Sequence, residues 1–149
     1  MDIAALITWV VTALGGFYML GTWIQRGGIR QQQTGTSRLP ASVVFGHFTL
    51  AAIGLVVWII YVAADKSALA WTAFGLLLPV ALLGFVMLAH WIPVYRDRVS
   101  VRAAATGPGA EGTVPAERHF PVVVVVAHGL LAVATLLLVL LTALGVGGS

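Results

Sequence analysis

Four histidines, His47, His90, His119 and His128, are the residues of this chain whose chemistry goes beyond packing. Three of them, His47, His90 and His128, fall inside long apolar stretches that hold no Asp, Glu, Lys or Arg. An ionisable group in such a stretch is costly in hydrocarbon, so it is expected to face the protein interior and find a partner there. With no charge inside any stretch, that partner is another histidine, a hydroxyl, a backbone carbonyl, water or a ligand. Neutral imidazole binds iron, copper and zinc well. Counted from the ends of their stretches, the three rings lie at nearly one depth, roughly 6 to 12 Å inside the boundary at about 1.5 Å per residue. Two imidazoles at matched depth on facing helices are what a bis-histidine haem requires. His119, beside Arg118 and before Phe120-Pro121, needs only an interfacial or helix-capping role.

The stretches that must position these rings run over Ile3–Ile24, Ala41–Ala64, Ala68–Val94 and Phe120–Val146. Each is long enough to cross a hydrocarbon core of about 30 Å. Lipid offers backbone groups no partner, so spans of this length are expected to be helices. The expectation is an all-α fold, a single four-transmembrane-helix bundle over residues 1–149. Composition agrees, with 60% of the 149 residues hydrophobic, 9% charged and no cysteine, and a mean hydropathy of +1.01. Soluble domains carry about a quarter charged residues, so soluble globular, disordered and disulfide-scaffold classes are excluded.

The charges assign the sides. Loop 25–40 carries Arg26, Arg30 and Arg38, and loop 95–119 carries Arg96, Arg98, Arg102 and Arg118; the other side holds only Asp2, Asp65 and Lys66. This positive-inside bias predicts that both loops are cytoplasmic and both termini lie outside. The arginines hug membrane boundaries without interleaved stacking residues, so the net charge of +3 gives no reason to expect nucleic-acid binding. Trp23, Trp91 and Tyr95 fit anchors at the inner boundary, Tyr61 and Trp71 at the outer one. The first span lacks the basic start and cleavage site of a signal peptide. Pro79 is expected to kink the third span by freeing the carbonyl of Gly75. Ala5, Thr8, Thr12 and Gly16 form a small-residue stripe for close helix packing. No internal repeat is evident, and Ala103–Glu117 reads as a mobile loop.

Neighbouring residues separate the histidine pairs. A porphyrin is a wide flat plate, so its ligands need small neighbours. His47 has Gly46, Ala51 and Gly54; His128 has Gly129, Ala132 and Thr135; His90 has Leu83, Val86 and Met87, which would fill the space. His47 and His128 are therefore the expected haem clamp, with Arg38 or Arg118 placed to meet the propionates. His90 remains a third candidate metal ligand. With Trp91, Tyr95 and Arg96 it makes either a quinone or proton-exchange pocket or an interfacial belt.

On the segments Gly46-His47 and Ala127-His128-Gly129 the chain resembles membrane b-type cytochromes, including the small helical haem anchors of quinone-linked respiratory enzymes. The resemblance implies haem b, electron transfer and a place in a larger membrane complex or homo-oligomer. Many such anchors hold a haem in each leaflet, whereas here the histidines occupy one, so this chain by itself would not carry electrons across the whole membrane.

Two other readings stand beside that one. In the first, the chain is a cofactor-free scaffold or assembly subunit whose histidines hydrogen-bond between helices. In the second, all three histidines form a zinc or copper site or a proton path. Enzymatic readings find little support: there is no thiol, no intramembrane acid and no glycine-rich phosphate loop. A single lysine against seven arginines, with heavy use of Ala, Gly and Val, suggests a GC-rich bacterial genome and hence a multi-pass protein of the bacterial inner membrane.

Overall fold

A computed structural model describes residues 1–104 and 114–146, and the described residues form helices without strands. Five α-helices follow in order: α1 Asp2–Gln25, α2 Gly28–Thr34, α3 Ala41–Ala64, α4 Ser67–Ala104 and α5 Val122–Ala143. A single 3-10 turn, Ala116–His119, precedes α5. Helices α1, α3, α4 and α5 are long and apolar enough to cross a membrane, and only 11–17% of each apolar window is buried inside the chain. The exposed remainder is rich in Ile, Leu, Val and Phe, the surface expected where lipid replaces water.

Local chemistry sets the ends of the helices. Helix α1 stops before Gly27, whose φ of 84° is left-handed and costs glycine nothing. Helix α3 ends on Asp65, also left-handed, and a two-residue link turns the chain straight into α4. Pro40 and Pro121 occupy the N-caps of α3 and α5, both extended, with ψ of 130° and 127°. There a proline's missing N–H removes no helical hydrogen bond.

Helix α3 packs chiefly on α4, and α1 on α5, while α4–α5 and α1–α3 contacts close the ring. Helices α3 and α5 make no backbone contact and lie diagonally across the bundle. The buried residues fall into two clusters. One, near the chain termini, is built on Ala5, Trp9, Trp58, Ala73, Leu77 and Val139. The other, at the arginine-rich end, is built on Trp23, Leu39, Val44, Trp91, Ala116 and Phe120.

The segments expected as loops are more ordered than their composition suggested. Segment 25–40 contains α2, and α4 continues through Pro93 well beyond Val94. Of the segment expected to be mobile, residues 105–113 lie outside the described residues. Its last part is packed: Ala116 and Glu117 are both 0% exposed. Glu117 accepts hydrogen bonds from the Ser37 hydroxyl (3.1 Å) and the Arg38 backbone N–H, and its own carbonyl accepts from Trp91 Nε1 at 3.2 Å. Gln31 adds a second tie, donating to the Val114 carbonyl and accepting from the Ala116 N–H. The segment thus becomes a plug because the Glu117 carboxylate and the Val114 and Ala116 backbone groups find partners in the 25–40 segment.

Replacing Glu117 by Ala leaves the Ser37 and Arg38 donors without their acceptor, at an expected cost of about 2–3 kcal/mol. Glu117→Gln keeps one acceptor oxygen and should lose less. Reversible unfolding in mixed detergent micelles gives both numbers.

Candidate functional site

Between the two apolar clusters lies a layer of different composition. Along each spanning helix, the residues separating the clusters are Thr12 to Gly16 on α1, His47 on α3, Val80 to Gly84 on α4, and His128 on α5. His47 and His128, from the diagonal pair of helices, meet here with ring centroids 6.3 Å apart and planes inclined at 54°.

Each ring is held by a backbone carbonyl of a neighbouring helix. His47 Nδ1 lies 2.9 Å from the Val80 carbonyl on α4, and His128 Nδ1 lies 2.9 Å from the Thr12 carbonyl on α1. A carbonyl oxygen only accepts, so Nδ1 must be the protonated nitrogen in both rings, and Nε2 carries a lone pair. Such an outer hydrogen bond is what orients a metal-binding imidazole and raises its basicity.

Glycines stand beside both rings, and the tightest approach is at Gly16. A Cβ on Gly16 would stand 3.2 Å from His128 Cε1, and one on Gly15 would stand 3.5 Å from its Nδ1. On the other side, a Cβ on Gly84 would stand 3.4 Å from His47 Cε1. In each case the glycine lies one turn beyond the accepting carbonyl, Gly16 after Thr12 and Gly84 after Val80. Both histidines also lie seven residues after the proline that caps their helix, Pro40 before His47 and Pro121 before His128. The α3–α4 and α5–α1 pairs are thus near-equivalent halves of one site.

The other expected residues are placed differently. Gly54 makes room for Trp9, whose Cζ2 would come within 3.0 Å of a Cβ there, so its smallness serves the apolar core. Thr135 is buried and bonded to the Thr8 hydroxyl at 3.0 Å. A Cβ on Gly46 would make ordinary contact with Leu83, and Gly129 faces open space. Ala51 and Ala132 are half-buried. Arg38 is exposed and pairs with Asp97 at 3.7 Å, and the Arg118 carbonyl accepts from Arg98. Both arginines flank members of the arginine-end cluster, Leu39 and Phe120, which separates them from the histidine layer.

His90 does not join the pair. It is exposed, its Nδ1 is bonded 2.8 Å from the Val86 carbonyl of its own helix, and it stands between Met87 and Trp91, which pack in the arginine-end cluster. Its depth was counted from a helix end at Val94, but α4 continues far past that point. Among the described residues, no three His, Cys, Asp or Glu side chains are grouped closely enough to hold a metal ion. Trp91 and Tyr95 stack at 5.2 Å, with His90 outside that contact. His119 Nδ1 is 3.2 Å from the Ala116 carbonyl and belongs to the plug.

No protein-family model, curated protein or solved structure matches the chain.

Adding bulk at Gly16 should displace His128 from its carbonyl, so Gly16→Val is expected to destabilise by about 1–3 kcal/mol, as overpacking does. Gly129→Ala, in open space, should be neutral or stabilising by up to about 1 kcal/mol through helix propensity. Parallel unfolding titrations of the two variants test the contrast.

Proposed function

We propose that the chain is a membrane haem b protein that transfers electrons, or anchors a redox partner, through one bis-histidine haem held by His47 and His128. The observation that carries this reading is the 6.3 Å separation of the two rings. At that spacing His47 and His128 would be the two residues to hold one iron between them, as bis-histidine ligation requires. The donor set also fits, because each Nδ1–H is committed to a carbonyl and each Nε2 lone pair is left for a ligand. Gly15, Gly16 and Gly84 keep side-chain bulk away from the rings.

When bound, the haem supplies reversible one-electron chemistry. The chain's own residues do the rest: Thr12 and Val80 hold the ring orientations, and the apolar clusters on either side exclude water. Within the same proposal, the arginine-rich end faces the cytoplasm of a bacterium, both termini face outward, and Pro79 bends α4. The chain works as a homo-oligomer or as a subunit of a larger complex, where a quinone is a candidate partner.

One observation favours a second reading, that of a cofactor-free scaffold. Each imidazole already has a carbonyl partner, and no buried side-chain polar atom among the described residues lacks one. The two readings diverge in a spectrum. Protein expressed with added haem should show a sharp Soret band and, on dithionite reduction, an α-band. His47→Ala and His128→Ala should each abolish both bands, and His90→Ala should leave them. A colourless preparation ends the haem reading; metal analysis then distinguishes a zinc or copper site from the scaffold.

A further inference from the structure

We infer that the arginine-rich end of α1 carries a seat for the phosphate of an anionic phospholipid headgroup, separate from the histidine layer and independent of what that layer binds. The chain leaves α1 at Gln25 and turns at Gly27 into α2. At this corner lies a cavity of about 250 Å³ lined by Arg26, Gly27, Arg30, Gln31, Thr34 and Thr36.

Arg26 and Arg30 are exposed, and neither has a carboxylate within ion-pair distance among the described residues. Arg38, by contrast, is paired with Asp97. Arg26 caps α1, Arg30 lies in α2, and both line this cavity; guanidinium groups are planar forks of donors, the geometry that matches phosphate oxygens. Gly27 assists: the guanidinium of Arg30 folds back over it, with Nη2 3.4 Å from where a Cβ would stand. The Thr34 hydroxyl donates to the Gln31 carbonyl at 3.3 Å and lies 2.9 Å from the Thr36 hydroxyl, so the two threonines form a fixed polar wall and the donors to a bound anion are the arginines. Gln31 shapes the wall, because both ends of its side chain are committed to Val114 and Ala116.

The surroundings favour a lipid over a soluble phosphate. The cavity begins where the apolar span ends, the level at which headgroups lie. Ile24 and Ile29 beside it are 42% and 48% exposed. They offer apolar surface to the glycerol and upper acyl chain of a lipid and nothing to a free anion.

The test is native mass spectrometry of the intact chain in non-ionic detergent, titrated with phosphatidylglycerol, phosphatidylcholine or inorganic phosphate. Phosphatidylglycerol should be retained in preference to phosphatidylcholine. Losing both charges in Arg26→Gln/Arg30→Gln should weaken it roughly ten- to thirty-fold, given what each basic residue contributes at an anionic surface. Arg96→Gln, an exposed arginine on α4, should leave it nearly unchanged. Equal retention of the two lipids overturns the proposal, as does an equal loss in Arg96→Gln, which would mean a diffuse basic belt. Binding of phosphate without the lipid would assign the cavity to a soluble anion and overturn it too. Should the double glutamine variant misfold by circular dichroism, the lipid preference of the unaltered chain and of Arg26→Lys/Arg30→Lys decides.

Discussion

The bundle is organised around one interaction made twice: an imidazole N–H donating to a main-chain carbonyl of an adjacent helix, one turn before a glycine. In a helix the carbonyl already accepts from the N–H four residues on, here that of Gly16 or Gly84. A side chain at that same residue would press on the approaching ring, at 3.2 Å for Gly16 and 3.4 Å for Gly84. Each glycine thus completes the helical bond and eases the approach of the ring. Hydrogen bonds between membrane helices average only about 0.6 kcal/mol, so the interaction's importance lies in direction more than in strength. It fixes which nitrogen of each ring carries the proton.

Direction alone does not bring the two rings to one level. Helices α3 and α5 have no close backbone approach, but each packs against both α1 and α4, and those packings relate one to the other. At the arginine-rich end Glu117 adds a direct tie, receiving Ser37 and Arg38 a few residues before the two capping prolines. From each proline the count to the histidine is the same. The plug is polar inside and covered by Trp23, Leu39 and Trp91, which explains how a short polar segment stays folded beside a membrane.

The spans were legible in the sequence because hydrocarbon imposes a coarse rule: long uncharged stretches must be helices, and Ala41–Ala64 matches the structure residue for residue. The His47–His128 pairing was legible for a related reason, since two imidazoles without charged partners have to meet something. What surrounds them was not. Small residues near a histidine in sequence were read as its neighbours in space, yet Gly54 belongs to Trp9 and Gly129 to the outer surface. The glycines that do face the rings sit on the other two helices, and only knowledge of the ring order of helices assigns them. His90, the third candidate, stands apart at an exposed position, on a helix that continues through Pro93 and the arginines beyond it where hydropathy ends the span. Glu117 escaped notice because composition marks a segment as polar without revealing whether its polar groups will find partners.

The near-equivalence of the two halves bears on what the site is for. Two interhelical bonds could be made anywhere along a bundle, with one imidazole in each of two unrelated places. Here the α3–α4 half and the α5–α1 half present the same donor, the same kind of acceptor and the same glycine offset, facing each other at one level. Locking helices together needs no such match. A ligand shared by two rings does, because it has to be reached equally from both sides. Within the proposed function, this matched pair of rings is what supports placing the haem between His47 and His128 and not beside His90.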